Sequence, residues 1–357
     1  MPEVVFAIPG DIQAPTGGYA YDRRILELLP GEGVAVRHLA LPGSFPWASV
    51  ADLAETQGLL QGTPEDAVLL IDGLAYGSMT ELVLNSVFRP IVALVHHPLA
   101  MEAGMPERRR RALFSSERAA LARAAGVIAT SRATGRLLVE EYGVAPEALT
   151  IAEPGADPAP RAPGSGSRTP VLLSVGAVSP RKAYGVLVEA LAGLRDRPWT
   201  ARIVGATDRD PDETARVTSL IQDAGLSDRV ALDGAVSAAE LDAAFAGADL
   251  LVHPALYEGY GMALAEALAR GLPIVSTTGG AAADTVPDGA GLKVAPGDAA
   301  ALREALAALL DDPARRSRCA DASWAAGQAL PRWRDAAAAV AGALRRAAPP
   351  QAGRRAS

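Results

Sequence analysis

Apolar residues along the chain fall into short continuous runs, and longer stretches with helical spacing separate them. In the first half the runs are VVFAIPG, AVLLIDG, RPIVALVHH and GVIATS, and the helical stretches are YDRRILELL, MTELVLNSVF, RRALFSSERAALARAA and ATGRLLVEEYGV. Uninterrupted apolar runs of this length are typical of strands that are buried on both faces of a parallel sheet. The alternation therefore predicts a parallel sheet covered by helices.

The same alternation begins again in the second half of the chain. Between the halves, PGADPAPRAPGSGSRTP is rich in Pro, Gly, Ser and Ala, which is typical of a flexible linker. The runs VLLSVGA, TARIVGA, VALDGAV, DLLVHPA and PIVSTT then alternate with helical stretches, and two further helices end the pattern. A second parallel sheet covered by helices is therefore predicted.

Two α/β units of similar size agree with the two domains expected for 357 residues. We predict a Rossmann-like, doubly wound parallel sheet in each domain. The two domains would face a cleft, because ligands bind beyond the carboxyl ends of the strands in such sheets. The predicted bounds are 1–157 for the first domain, 158–170 for the linker, 171–330 for the second domain, 331–347 for a final helix and 348–357 for a disordered tail.

Composition and charge exclude several classes of protein. Hydrophobic residues make up 49% and charged residues 21%, as in ordinary globular proteins, and the net charge of -7 argues against a general nucleic-acid binder. The single cysteine allows no intrachain disulfide, which fits a reducing compartment. The N-terminus does not resemble a signal peptide, and no apolar run approaches the roughly 18 residues of a spanning helix. We expect a soluble cytoplasmic protein that could still contact a membrane surface.

The stretch HPALYEGYGMALAEALARGLPIV contains the strongest candidate site. Glu258 lies in the loop after a predicted strand, and Glu266 lies just over one turn inside a helix predicted to begin near Met262. The two acids could be a catalytic pair, a metal site or two contacts to one ligand. We favour the last interpretation, because the glycines between them expose backbone and the first N–H groups of a helix can bind a diphosphate. Each carboxylate would then accept hydrogen bonds from a diol.

Two more pairs of residues lie where predicted strands end. Gly17 and Gly18 precede a helix and could let backbone N–H groups approach an anion, although a flexible loop explains them equally well. Arg181 and Lys182 follow the first strand of the second half, where adjacent cations would meet a phosphate group. A solvated charged loop is the alternative for this pair.

Two of the four histidines, His96 and His97, end the run PIVALV. Because ligands bind at this end of a parallel strand, we expect at least one of them to line the cleft. The alternative is a hydrogen-bonded structural histidine beside Pro98.

Three other features are better explained without function. The acidic pair in ATDRD, Asp208 and Asp210, resembles a metal site less than it resembles helix-capping or turn carboxylates. The arginine run 108–111 is expected to form a solvated helix face, with attraction to acidic lipids or an anionic acceptor as the alternative. Cys319 is expected to be a buried small apolar residue rather than a nucleophile.

These residues together resemble a known family. EGYGMALAE is similar to the E-x7-E motif of retaining, nucleotide-sugar-dependent glycosyltransferases of family four, which have the GT-B fold. TGGYAYDRRIL resembles the glycine loop and helix of this family, VALVHH its histidine-bearing strand, and VGAVSPRKAYGVLVEAL its phosphate-binding stretch. The resemblance spans nearly the whole chain, and it implies an acceptor-side first domain, a nucleotide-sugar-binding second domain and a final helix that packs back on the first.

The resemblance implies a role for each residue that matches a motif. Glu266 would bind the donor ribose, and Arg181 and Lys182 would neutralise the diphosphate. Glu258 would hold the donor sugar together with the backbone of the following loop, which comprises Gly259, Tyr260, Gly261 and Met262.

Four further positions match the family. Gly17 and Gly18 would close on the diphosphate, and the region around Val236 would lie beside the nucleobase. His96 would contact the sugar near the reacting carbon, with His97 as the second choice.

The sequence also departs from the family at two places. Many members carry an arginine directly after the strand glycine and a Lys-Gly pair, whereas this chain has Ala177 and RKAYG, so Arg181 would supply the missing charge. The acidic residue usual in the GG loop is replaced, and Ala283 and Asp284 occupy this part of the chain.

The implied activity is retaining, metal-independent transfer of a hexosyl group from a nucleotide-diphosphate sugar to a hydroxyl acceptor, with UDP favoured over GDP. No cofactor, metal or nucleic acid is expected. The acceptor could be a lipid, a glycan or a small metabolite, and peripheral contact with the inner membrane face is left open.

Other classes of protein remain as alternatives. A nucleotide-sugar epimerase or phosphorylase could share the two-domain shape, and a nucleotide-sugar-binding protein could lack transfer activity. A nicotinamide oxidoreductase is disfavoured, because no G-x-G-x-x-G follows either first strand.

Overall fold

The structure, a computed structural model, describes residues 2–349, and its contacts divide the chain into two compact units. Unit 1 contains the N-terminal segment up to Ala14, Gly18–Gly155 and the C-terminal segment from Pro331. Unit 2 contains Pro15–Gly17 and Ala156–Leu330. The predicted tail, 348–357, lies outside the described residues except for 348 and 349.

Each unit contains one six-stranded sheet in which all neighbouring strands are parallel. The strands of unit 1 are β1 (Val4–Pro9), β2 (Val36–Leu41), β3 (Val68–Asp72), β4 (Ile91–Val95), β5 (Gly126–Ala129) and β6 (Leu149–Ile151). The strands of unit 2 are β7 (Val171–Val175), β8 (Thr200–Val204), β9 (Val230–Gly234), β10 (Leu250–His253), β11 (Ile274–Thr277) and β12 (Gly291–Val294). The strand orders are β2-β1-β3-β4-β5-β6 and β12-β11-β10-β7-β8-β9.

Helices connect successive strands in both units. Those of the first half are α1 (Gly17–Leu28), α2 (Val50–Gln61), α3 (Gly73–Tyr76), α4 (Glu81–Asn85), α5 (Glu107–Leu121) and α6 (Arg132–Glu140). Those that follow are α7 (Tyr184–Ala192), α8 (Pro211–Asp223), α9 (Ala238–Ala246), α10 (Met262–Ala269), α11 (Ala282–Thr285), α12 (Ala299–Leu310), α13 (Pro313–Gln328) and α14 (Trp333–Ala347). Within the described residues, no helix has the length and apolarity needed to cross a bilayer.

The continuous apolar runs all form strands, and every run except VALDGAV, which forms the edge strand β9, lies in the interior of a sheet. Every residue of β1, β3, β4 and β5 is buried, and so is every residue of β10 and β11. Helices cover both faces of these strands and exclude water from them. Successive residues of a strand point to opposite faces, so nearly every residue of these strands is apolar. The predicted class of two doubly wound parallel sheets is confirmed.

Three strands have no counterpart among the predicted runs, and all three lie at a sheet edge: β2, β6 and β12. Only the last residue of β2 is buried, and β6 and β12 are half-buried throughout. An edge strand has one neighbour and a solvated side, so it tolerates polar residues such as Arg37 and Lys293. Its apolar pattern is therefore weak.

The segment between β6 and β7, which contains the predicted linker, has neither helix nor strand. The contact division nevertheless assigns residues 158–170 to unit 2. The Ala162 N–H group donates to the Arg270 carbonyl at 2.8 Å, and the Gly164 N–H group donates to the Ala246 carbonyl at 3.1 Å. Backbone hydrogen bonds thus fix this Pro- and Gly-rich segment to unit 2.

The final helix, α14, belongs to unit 1 and packs against its strands. A Cβ atom on Gly155 would lie 2.0 Å from the Trp333 backbone nitrogen, so only glycine allows the chain after β6 to pass this close to the start of α14. The Tyr21 and Trp333 rings lie 5.8 Å apart, which anchors the helix start on α1.

Two helical glycines have opposite surroundings and predict opposite stability effects. A Cβ atom on Gly327 of α13 would lie 2.2 Å from the Leu268 carbonyl oxygen of α10, whereas one on Gly58 of α2 would meet nothing within 4 Å. We expect Gly327→Ala to lower the free energy of unfolding by about 2 kcal/mol, because the helices must separate. We expect Gly58→Ala to raise it by about 0.5–1 kcal/mol through helix propensity. Urea unfolding measures both, and equal effects would contradict the packing described here.

Candidate functional site

In unit 2, a turn and a loop meet at the carboxyl ends of two neighbouring strands. The turn is a short 3-10 segment, Pro180–Lys182, that follows β7, and the loop follows β10. The Leu256 N–H group donates to the Arg181 carbonyl at 2.8 Å, and Arg181 Nη1 donates to the Tyr257 carbonyl at 2.9 Å. Because β7 and β10 are parallel and adjacent, residues that are about 75 positions apart in the sequence are joined here.

Glu258 lies at the centre of this junction and is buried. Its Oε1 atom lies 2.6 Å from Lys182 Nζ, 3.3 Å from Arg181 Nη1 and 3.0 Å from His253 Nε2. Burial favours the neutral carboxyl group, but the two cations outweigh it and hold the pKa of Glu258 well below its usual range. Two cations and one anion give these side chains a summed charge of +1, which suits an approaching phosphate.

His253 was not among the predicted site residues. It is the last residue of β10, is buried, and burial lowers its pKa, so the ring is neutral at physiological pH. The signal was present in the sequence, because His253 ends a strand-like run just as His96 does. Spacing alone did not indicate that the chain turns back so that Glu258 meets it.

The loop after β11 packs against the backbone of Glu258. Glu258 and Gly280 form an isolated parallel bridge, and the Ala281 N–H group donates to the Glu258 carbonyl at 2.8 Å. A Cβ atom on Gly279 or Gly280 would lie within 2.3 Å of the Leu256 or Glu258 carbonyl oxygen, respectively. The glycine pair therefore permits the close approach that fixes the carboxylate. Ala283 and Asp284 lie beyond it, in α11.

Helix α10 begins beside this cluster, at Met262 as predicted. Gly261 has φ 90°, a left-handed conformation that glycine adopts without strain, and it turns the loop into the helix. A Cβ atom on Gly17 would lie 3.8 Å from Met262 Sδ, so Gly17 also lies near this helix start. Gly259 and Tyr260 complete the loop, and Thr285 Oγ1 donates to the Tyr260 carbonyl at 2.7 Å.

Glu266 lies one turn further along α10 and is half-buried. Burial raises its pKa to about 7, Asp242 and Asp157 add to this shift, and Arg270 opposes it. Its charge is thus poised near neutral pH, unlike that of Glu258. Val236 is half-buried and packs against the core of unit 2.

In unit 1, His96 lies between two buried carboxyl groups that the sequence did not single out. Its Nε2 atom lies 3.1 Å from Asp22 Oδ1 and 3.4 Å from Asp72 Oδ2. A Cβ atom on Gly18 would lie 3.3 Å from the imidazole Cδ2, so the first turn of α1 packs against the ring. The structure therefore brings Gly18 and His96 together within this unit. Gly17 and Gly18 thus begin the helix, whereas the sequence predicted that they precede it.

The other histidine of the pair has a different partner. His97 Nε2 lies 3.2 Å from Glu102 Oε2, five residues along the chain. The two adjacent histidines thus have separate carboxylate partners, and His96 contacts the buried pair.

The acidic pair, the single cysteine and the arginine run, which the sequence analysis explained by structure rather than by function, have the expected surroundings. The Asp210 side chain caps α8 by accepting a hydrogen bond from the Glu213 N–H group at 2.9 Å. Cys319 is buried among apolar residues of unit 2. In the arginine run, Arg110 and Arg111 form exposed ion pairs with Glu107 of the same helix.

Comparison with protein-family models matches both halves of the chain. The model described as glycosyl transferases group 1 matches residues 157–324, and the glycosyl transferase 4-like domain matches residues 3–155. The two matches correspond closely to the two sheets.

Curated relatives include enzymes that act on different acceptors. A D-inositol 3-phosphate glycosyltransferase from Kineococcus radiotolerans is 30% identical over 332 residues, which cover 80% of this chain and 75% of the relative. A 2-deoxystreptamine glucosyltransferase from Streptomyces kanamyceticus is 31% identical over 260 residues, which cover 68% of this chain and 63% of the relative. The chain thus spans three quarters of the length of one relative and less than two thirds of the other.

Solved structures share the fold. Sucrose-phosphate synthase from Thermosynechococcus elongatus superposes with a TM-score of 0.81 at 22% identity, covering 96% of this chain and 98% of that one. The Anabaena protein Alr3699/HepE, solved with UDP and glucose, superposes with a TM-score of 0.75 at 19% identity, covering 96% and 99%. The fold class is GT-B.

The Lys182–Glu258 pair predicts a measurable stability effect. We expect Lys182→Met to lower the free energy of unfolding by about 3 kcal/mol, because a buried carboxylate loses a partner. Because the pKa of Glu258 is lower in the folded than in the unfolded state, the ion pair stabilises the fold fully above about pH 4.5. This stabilisation is lost as the pH falls through the folded-state pKa. Urea unfolding at pH 7 and at low pH measures both effects.

A matched control is the exposed pair Arg202–Asp233, whose 2.7 Å contact is nearly as short. We expect Arg202→Met to cost less than about 1 kcal/mol, because solvent screens the pair. Equal costs for the two substitutions would show that the Glu258 cluster does not behave as a buried ion pair.

Proposed function

The chain belongs to the glycosyl transferases group 1 family, and we propose that it moves a hexosyl group from a nucleotide-diphosphate sugar to a hydroxyl acceptor. The observation that carries this proposal is the cluster of Arg181, Lys182 and Glu258 beside the start of α10. Two cations and a helix N-terminus at one strand end form a site for a diphosphate. The carboxylate fixes both cations in place.

The proposed chemistry is departure of the nucleoside diphosphate from the anomeric carbon. Negative charge then grows on the diphosphate, and Arg181, Lys182 and the N–H groups at the start of α10 stabilise it. These cations serve where other transferases use a metal ion, so the reaction is proposed to be metal-independent. The acceptor hydroxyl attacks from the side of the leaving group, its proton passes to the departing phosphate, and the anomeric configuration is retained.

We propose a UDP-hexose as the donor, with Glu266 accepting hydrogen bonds from the ribose diol and the base lying beside Val236. The Anabaena structure, which contains UDP and glucose, supports UDP over GDP. Glu258 and the backbone of Gly259 and Tyr260 would hold the sugar, and His96 would contact it near the reacting carbon.

For the acceptor, we propose a small polyhydroxylated metabolite. The names of two relatives specify 2-deoxystreptamine and D-inositol 3-phosphate, which are both substituted cyclitols. A cytoplasmic location fits such a substrate. Lipid and glycan acceptors are the alternatives that an acceptor panel would separate.

The proposal predicts nucleotide release that depends on the cations. In EDTA, we expect UDP-glucose to raise the melting temperature more than GDP-mannose does, and UDP release to follow addition of a cyclitol acceptor.

Lys182→Met should lower kcat by about 10²-fold or more, because leaving-group charge is no longer balanced. Proton NMR of the product should show an α-glycoside from the α-linked donor.

The matched control is Lys293→Met, which removes the only other lysine of the chain. Lys293 donates to the Ala283 and Val286 carbonyls rather than to Glu258, so kcat should change little. Binding of UDP-glucose without any turnover would favour a nucleotide-sugar-binding protein, and an inverted product would refute retention.

Glu266 predicts the pH dependence of donor binding. Its pKa of about 7 means that the ionised acceptor form declines as the pH falls from 8 to 6. We expect the donor KM to rise by up to about tenfold over this range, because each pH unit below the pKa removes about nine tenths of the remaining carboxylate. Glu266→Gln should have a raised KM that is independent of pH. A flat KM in the wild type would remove Glu266 from the donor site.

A further inference from the structure

The strongest feature that the proposed function leaves unused is the pair of buried carboxyl groups around His96. Asp22 is wholly buried on α1, and Asp72, at the end of β3, is 2% exposed. The two carboxyl groups and the imidazole lie within 4.8 Å of one another. Burial of two acids beside one histidine is costly unless the three groups share charge and hydrogen bonds.

The polar contacts of the His96 ring within the described residues all involve Nε2. Asp72, whose pKa is lowered despite its burial, is ionised and can only accept a hydrogen bond, so Nε2 must carry a proton to satisfy it. This proton also occupies the lone pair that a metal ion would need. The other ring nitrogen, Nδ1, then decides what His96 can do. In a neutral ring Nδ1 would be an acceptor and a base, and in an imidazolium it is a charged donor.

Charge favours the imidazolium. Burial alone would disfavour it, but Asp22 and Asp72 outweigh burial and raise the pKa of His96 to about 10. Burial and the neighbouring Asp72 raise the pKa of Asp22 to about 7, while the hydrogen bond from His96 keeps that of Asp72 low. Tyr21, edge-on to the imidazole at 5.4 Å, stays neutral because burial raises its pKa.

We propose that Asp22 and Asp72 are positioning residues that keep His96 protonated on both nitrogens, so that Nδ1–H donates to the bound sugar nucleotide and His96 does not act as a base. The His96 side chain is 19% exposed, which leaves the ring accessible to a ligand. Donation from Nδ1 to a sugar nucleotide rests on the proposed function, whereas the protonation state of His96 does not.

The Asp72 side chain also orients the ring through the backbone. Its Oδ1 atom accepts a hydrogen bond from the Leu74 N–H group at 2.6 Å, which caps α3 and directs Oδ2 towards His96. Asparagine can keep this cap through its side-chain oxygen while it removes the charge. Asp72→Asn is therefore a milder change than Asp72→Ala, and Asp22→Asn is the equivalent change on α1.

The test follows the ring nitrogens by NMR of protein labelled with 15N-histidine. His96→Gln assigns the His96 signals. In the wild type we expect an imidazolium at pH 8, whereas in the double variant Asp22→Asn, Asp72→Asn we expect titration near the ordinary value of about 6.5 or below. A neutral His96 ring at pH 8 in the wild type would overturn the proposal without any variant.

Kinetics provide the second readout. The ratio of kcat in the double variant Asp22→Asn, Asp72→Asn to kcat in the wild type should fall at least tenfold between pH 6 and pH 8.5, because only the double variant loses the imidazolium in this range. The control is Thr56→Val, which alters another buried polar residue of unit 1, one whose hydroxyl donates to the Asp52 carbonyl at 2.7 Å and which does not titrate. Its ratio should not change with pH, and a flat ratio in the double variant would refute donation by His96.

Failure of the proposed function would be recognised separately. If the wild type transfers no sugar from any donor, the proposed function is wrong, and the NMR titration alone decides whether Asp22 and Asp72 keep His96 protonated.

Discussion

The burial of one carboxylate, Glu258, is the constraint on which the architecture of the candidate site in unit 2 depends. A charged group in this position requires cations and a rigid loop, and the structure supplies Arg181 and Lys182 from one strand end and the glycine pair from another. The ion pairs and the close backbone contacts thus act together to hold this carboxylate in place. Removing either side would leave a buried charge without the partners that stabilise it.

Unit 1 also buries acidic groups, but there two acids share one cationic partner, whereas in unit 2 one acid has two. In unit 1 the acids are Asp22 and Asp72, and the compensating charge is placed on His96. In both units the charged groups lie at or beside the carboxyl ends of parallel strands, where the chain leaves the sheet and polar side chains can converge; Asp22 is supplied by the helix α1. The interior of each sheet is apolar, so polar and charged side chains that could bind a ligand are confined to the strand ends.

The apolar runs predicted the central strands, because burial on both faces requires continuous hydrophobic sequence. They failed for the edge strands β2, β6 and β12, whose solvated sides tolerate residues such as Arg37 and Lys293. The start of α10 at Met262 was predictable, since Gly261 marks a turn before a helical pattern. The flexible linker was harder to judge, because composition does not show the hydrogen bonds that fix it to unit 2.

By itself, the sequence determined the fold class, the family and most candidate residues, because these depend on local periodicity and on motifs within short stretches. Only the tertiary structure decided which charges meet. Lys182 and Glu258 are far apart in the chain, and so are Asp22, Asp72 and His96, yet each group lies within contact distance after folding. Electrostatic interaction depends on separation in space and on exclusion of water, and neither quantity can be obtained from spacing along the chain.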